Sequence, residues 1–179
     1  MSTMSRLAKK PIAVSKATVS VAGDTLTVKG SKATLTKSIH PAIAIEVGAE
    51  GVVITAKNAS KLAKALTGTY AAHVRSMVAG VETPWKRALI LEGVGYRVEL
   101  KGKELVFTVG FSHQVKLTVP ESLTATVEKN NITIEGPDKE AVGQFAANVR
   151  GVKPPEPYLG KGIRYSDEVI RRKQGKKAV

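Results

Sequence analysis

Three histidines, His40, His73 and His113, and no cysteine leave this chain few ways to hold a metal. The histidines are far apart, and none stands at ligand spacing from another His, Asp or Glu, so no metal site is expected. Without thiols there is neither a disulfide nor a thiolate nucleophile, which suits a reducing compartment. Gly93-Val94-Gly95 begins like a dinucleotide fingerprint, but Val98 occupies the place of the third glycine and no helix pattern follows. These glycines read instead as a bend or bulge in a strand. Gly160-Lys161-Gly162 fails as a phosphate loop, since Gly162 replaces the hydroxyl residue after the lysine and Pro155 stands at the first glycine. Asp167-Glu168, the closest acidic cluster, reads as the start of a short turn and not as an acid–base pair. No reactive groups converge, and no enzyme activity, cofactor or small-molecule substrate is expected.

The chemistry that the sequence does offer is positive charge. The net charge is +13, from 28 Lys and Arg against 15 Asp and Glu. Residues 1–16 hold Arg6, Lys9, Lys10 and Lys16 without an acid. Residues 150–179 hold nine cations against Glu156, Asp167 and Glu168, which leaves only +3 for the whole middle. A nearly balanced body with basic ends points to extensions that neutralise a polyanion, and nucleic acid is the expected partner.

One stretch concentrates this chemistry, PEPYLGKGIRY at residues 155–165. Its prolines, with Pro154 before them, predict a stiff extended arm that lacks the backbone donors of a helix or central strand. Gly160 and Gly162 let the backbone lie close to another surface while Lys161 points at it. The arm would place Lys161 and Arg164 on phosphates, with Tyr158 or Tyr165 on a sugar or base.

The elements that must carry this arm follow from an internal repeat. VSVAGDTLTV and VELKGKELVF share one pattern: Val19, Val21, Gly23, Leu26 and Val28 against Val98, Leu100, Gly102, Leu105 and Phe107, each pair offset by 79 residues. Apolar alternation, a glycine turn and alternation again predict a β-hairpin with one buried face. Third strands are expected around Ala33–Thr36 and Gln114–Val119. His113, in GFSHQ, falls at a hairpin tip, where a structural turn and an RNA-facing ring are both open readings. Each half then ends in a short strand and a helix. Leu62, Leu66, Tyr70 and Val74 in the first helix, and Ala141, Phe145 and Val149 in the second, are spaced at four and predict one buried stripe per helix. Asn58 or Ser60, and Asp138, are the expected helix starters. An offset of 75 between the helix ends predicts a first helix region about one turn longer.

The fold class predicted is α+β: two similar domains from a duplication, each a small, mainly antiparallel sheet packed by one helix. The expected division is a basic extension at 1–16, domains at 17–82 and 83–152 separated near Pro84, and an arm with a basic tail at 153–179. No apolar run approaches the length of a membrane span, and MSTMSRLAKKPIAV lacks the apolar centre of a secretory signal, so a cytoplasmic protein without a membrane partner is expected.

Residues 155–165, followed by VIRRKQGKK, closely resemble the C-terminal signature of the large-subunit ribosomal protein L-six family, bacterial type. LAKKPIAV resembles the start of that family, and LEGVGYRV and VGFSHQV resemble its second-domain hairpin segments, so the likeness covers essentially the whole chain. Leu159 departs from a usual basic residue, Ala8 from a usual glycine and Gln114 from a usual proline. The resemblance implies a non-catalytic structural protein of the large subunit. It would bind ribosomal RNA mainly through the second domain and tail, near the sarcin–ricin loop and the site where translation factors dock, beside other large-subunit proteins. With the charge argument, the expected RNA contacts are Lys153, Tyr158, Gly160, Lys161, Gly162, Arg164, Tyr165, Arg171, Arg172, Lys173, Lys176 and Lys177.

Overall fold

The computed structural model describes residue 8 and residues 10–14, 17–48 and 51–175. Lys176 and Lys177, and Arg6, Lys9 and Lys16 at the other end, lie outside the described residues. The chain divides into two compact units that meet in sequence between Pro84 and Trp85.

The first unit holds strands β1 (Thr18–Ala22), β2 (Thr25–Lys29) and β3 (Thr34–Ser38) in one antiparallel sheet, and β4 (Ile43–Gly48) with β5 (Gly51–Ala56) in another. Helix α1 (Lys61–Glu82) follows. The second unit repeats the three-stranded sheet with β7 (Arg97–Lys101), β8 (Glu104–Thr108) and β9 (Val115–Thr118). Its other sheet has the order β10 (Thr124–Glu128), β11 (Asn131–Gly136), β6 (Trp85–Glu92), β12 (Gly162–Tyr165), all antiparallel, with helix α2 (Lys139–Val152) before the last strand. The α+β fold of two similar domains expected from the repeat is the fold observed.

The repeated hairpins occupy the same register. Val19 faces Val28 across β1–β2 as Val98 faces Phe107 across β7–β8, and Val21–Leu26 corresponds to Leu100–Leu105. Each turn has two residues with glycine first, Gly23 at φ +58 and Gly102 at φ +61, as a type II′ hairpin requires. Val19, Leu26, Val28, Val98, Leu105 and Phe107 are buried, whereas Val21 and Leu100, next to the turns, are largely exposed. The alternation thus specifies the face, and distance from the core decides which positions on it are covered.

The helices correct the expected stripe in one place. The buried face of α1 runs through Ala63, Thr67, Tyr70, Val74, Met77, Val78 and Val81. Leu62, assigned to it by the spacing of four, is exposed. A step of four advances the face by about 400°, so a strict i+4 series drifts off a helical stripe within two turns. Ser60 is the N-cap: its Oγ accepts from the Ala63 amide at 3.1 Å and donates to the Asn58 Oδ1 at 2.9 Å. The helices have 22 and 14 residues, so α1 is longer by about two turns and not one. In the first core the Tyr70 hydroxyl, on a nearly buried ring, donates to the Ser38 carbonyl at 3.0 Å and accepts from the His40 amide at 2.9 Å.

Both ends of the chain are drawn further into the units than the sequence predicts. Ala8 and Ile12 are buried in the first core, and Ile12 exchanges backbone hydrogen bonds with Val52 at 2.9 and 3.0 Å. The stretch read as an arm outside the second unit needs correction at its centre. Gly162–Tyr165 pairs antiparallel with Leu89–Glu92 of β6, and Ile163 is fully buried among Leu89, Leu91, Phe107 and the other core residues. An edge strand needs only one row of ladder bonds and one inward side chain, which is why flanking prolines and glycines do not prevent it.

Candidate nucleic-acid interface

The segment after α2 is a closed loop, not an extended arm. The Ile163 amide donates to the Lys153 carbonyl at 2.8 Å, the Glu156 amide to the Lys161 carbonyl at 2.9 Å and the Gly160 amide to the Glu156 carbonyl at 3.1 Å. The prolines set the turns, and the two limbs bind each other through the residues that keep a donor. The following chain is laced to the loop by the Lys173 amide, which donates to the Pro157 carbonyl at 2.8 Å.

The glycines serve this closure. Gly162 has φ +140, and a Cβ there would lie 2.6 Å from the Pro154 carbonyl oxygen and 2.8 Å from that of Lys153. At Gly160, φ +77, a Cβ would lie 2.9 Å from the nearest guanidinium nitrogen of Arg172. Both residues are buried, so the close approach they permit is to the protein's own backbone and to Arg172.

Beneath the loop lies an ion network. Arg164 donates from Nε and Nη2 to the Glu92 carboxylate at 2.9 and 2.6 Å, and from Nη1 to the carbonyls of Tyr165 and Glu168. Arg172 approaches the other Glu92 oxygen at 3.9 Å. Arg150 forms a two-pronged bond to Glu168, at 2.9 and 2.6 Å. That hydrogen bond is the main cause holding the Glu168 carboxyl below the usual glutamate range; burial opposes it, and the Tyr165 amide adds to it. The same bond raises the Arg150 pKa. Asp167 pairs with Arg87 at 3.2 Å, and the Arg87 and Arg150 guanidiniums lie 4.5 and 5.8 Å from the centre of the Tyr165 ring. The Asp167-Glu168 pair therefore does sit in a turn, with each carboxylate tied to a different arginine.

These contacts sort the twelve residues singled out by sequence. Gly162, Arg164 and Tyr165 are parts of the loop's foundation, Arg164 bound to Glu92 and the half-buried Tyr165 ring beside Arg87 and Arg150, with Gly160 packed against Arg172. Tyr158 is exposed at the turn and Lys161 half-buried at its far limb; Arg171, Arg172 and Lys173 are exposed along the strand's continuation. Lys161, Arg171 and Lys173 form no ion pair with any other described residue. Lys153 stands at the loop's base with its ammonium 5.0 Å from the centre of the Phe111 ring. The described residues thus offer a cationic surface, and among them no group of three His, Asp or Glu is gathered for a metal.

Sequence reasoning missed Phe111 altogether. It lies in the turn between β8 and β9 with His113, their rings stacked at 17° with centroids 6.1 Å apart. Gly93 and Gly95 belong to the turn joining β6 to β7 rather than to a bulge within a strand. An exposed aromatic in a glycine turn, Gly110-Phe111, was the available signal.

Comparison with known proteins agrees with this duplicated architecture. The family model for ribosomal protein L6 matches the chain twice, over residues 15–83 and 92–166. The large ribosomal subunit protein uL6 of Marinobacter nauticus is 46% identical over 97% of this chain and 99% of its own length. The uL6 proteins of Herpetosiphon aurantiacus and Caldicellulosiruptor saccharolyticus are 47% and 43% identical, each over 97% of this chain and 98% and 96% of their own lengths. The second match ends at 166, just beyond β12, so the family model too includes the edge strand. With the fold, the repeat and relatives spanning nearly all of its length, the chain belongs to the ribosomal protein L6 family.

Proposed function

We propose that this chain, a non-enzymatic constituent of the large ribosomal subunit, binds large-subunit ribosomal RNA through the closed loop at 153–161 and the basic segment after β12. The proposed position is near the sarcin–ricin loop and the translation-factor docking site, in contact with neighbouring large-subunit proteins of the cytoplasmic ribosome. The observation that carries the reading is a division of labour among the cations. Arg150 and Arg164 are consumed by Glu168 and Glu92 in holding the loop, while Lys161, Arg171 and Lys173 remain unpaired among the described residues on its outside. Charges held in place by a folded loop lose little entropy on meeting phosphates. Lys153, Tyr158 and Arg172 complete the proposed contact surface. Gly160, Gly162, Arg164 and Tyr165 act by holding that surface in shape, and Lys176 and Lys177 extend its charge.

A salt titration with the full chain on a large-subunit RNA fragment tests this. Alanine at Lys161, Arg171 or Lys173 should each flatten the dependence of log affinity on log salt by a little under about one unit, as one fewer phosphate is neutralised. Slopes equal to wild type in all three variants would refute the phosphate role. Sedimentation of tagged protein separates a subunit component from a free nucleic-acid-binding protein, since only the former moves with large subunits through moderate salt.

A further inference from the structure

The turn between β8 and β9 displays an aromatic pair that the core does not use. Phe111 is 43% exposed and His113 is exposed, although a phenyl ring at the surface forfeits part of the stabilisation that burial would give. The two rings lie nearly parallel, inclined by 17° with centroids 6.1 Å apart, and form an exposed aromatic surface.

This surface is held from both sides. Val109, just before the turn, is buried in the core. Tyr96 lies against Gly110: a Cβ on that glycine would be 3.4 Å from the Tyr96 ring, and one on Gly93 would be 2.6 Å from it. Tyr96 packs on the core in turn, so the turn has an aromatic footing. Lys153, whose ammonium lies by the Phe111 ring, is fixed at its carbonyl by the Ile163 amide of β12. Tyr96 thus supports the turn at Gly110, while Lys153, distant in sequence, stands by the exposed Phe111 ring.

An exposed aromatic pair with a lysine over one ring matches the two parts of a nucleotide: a base offers a face to stack on, and its phosphate offers a charge. We propose that Phe111 and His113 form a stacking platform for an unpaired base of the bound RNA, and that Lys153 leaves the Phe111 ring for the adjoining phosphate when that base docks. The proposal rests on the RNA-binding reading above and adds a base contact to its phosphate contacts. Stacking tolerates any base, so the platform selects an unpaired nucleotide and not a particular letter.

The test uses the full chain with a large-subunit ribosomal RNA fragment, in wild type and in Phe111→Ala, Phe111→Leu and Lys153→Ala forms. The expected result is an affinity loss of about fivefold to about a hundredfold for Phe111→Ala, with the salt slope unchanged. Phe111→Leu, which keeps apolar bulk without a π face, should recover little of it. Lys153→Ala should flatten the slope by a little under about one unit. Irradiation of large subunits at a wavelength absorbed by bases should attach a nucleotide to the peptide bearing residues 111–113. If wild type binds and Phe111→Ala binds equally well, the platform is refuted while the phosphate reading stands. A cross-link from this peptide to a protein neighbour in place of RNA refutes it too. Failure of wild type to bind RNA overturns both readings. Trp85 fluorescence shows whether a variant has kept its fold, because the chain's single tryptophan packs on the second core.

Discussion

Replacing Ile163 by alanine should destabilise the second unit by about 3 kcal/mol. The side chain is fully buried, and its strand partner across the sheet is Leu91. Alanine removes three carbon groups at about 0.8 kcal/mol each, and the cavity left between β12 and the rest of the core adds to this. Such a loss is a large fraction of the roughly 5–15 kcal/mol that separates a folded domain from its unfolded chain. Trp85, in the strand next to β12, makes the measurement specific to this unit. Urea unfolding followed by its fluorescence should show a midpoint lowered by about 2–3 M, for a slope near 1–1.5 kcal/mol per molar. A chain ending after Val152 should lose the native signal more completely, as it deletes the strand and the Arg150–Glu168 pair together. A midpoint within about 0.5 M of wild type in Ile163→Ala would refute the integration of this segment into the core.

Glu168→Gln should cost about 1 kcal/mol at neutral pH, since the pair with Arg150 is two-pronged but partly open to solvent. Because the folded-state pKa of Glu168 is lowered, its contribution is present above the usual glutamate range near pH 4.3 and fades as pH falls through the folded value; the variant's stability should therefore vary less than wild type's over that acid interval, and identical acid profiles would refute the linkage. Gly162→Val should destabilise the second unit by more than about 2 kcal/mol, because φ +140 is hostile to a β-branched residue and the Pro154 carbonyl stands in its way. Gly160→Ala should be milder, since the obstructing Arg172 guanidinium can swing aside; equal unfolding midpoints for the two variants would count against this account. Tyr70→Phe should cost about 1 kcal/mol in the first unit and speed amide exchange at His40, which loses its acceptor; unchanged exchange would show that the hydroxyl does not hold that turn.

The repeat was legible because a period-2 pattern interrupted by glycine is a local signal, read without knowing what packs on it. Val19, Leu26 and Val28 announce a hairpin by themselves, and so do Val98, Leu105 and Phe107. Ser60 was legible for the same reason, since an N-cap is settled within three residues. β12 was not, as Gly-Ile-Arg-Tyr has one fully inward residue and gains its strand geometry from β6, far back in the chain. The roles of the cations were hidden likewise. Nothing local distinguishes Arg164, bound to Glu92 across 72 residues, from Arg171, which lacks any such partner among the described residues. Charge counts located the basic region, and only the non-local ion pairs separate the cations that hold the loop from those proposed to meet RNA.

The position of β6 also imposes an order in time. As the chain is synthesised, the first unit's sheets and α1 precede Trp85, so that unit can fold while the second is still being made. Within the second unit β6 emerges first, but its two neighbours come late: β11 begins at Asn131, and β12 only at Gly162. One edge of β6, bearing Leu89 and Leu91, stays unpaired until nearly the whole unit has been made. An open apolar edge invites pairing with another nascent chain. Closing it must wait for β12, and the same step that seals the sheet closes the loop at 153–161.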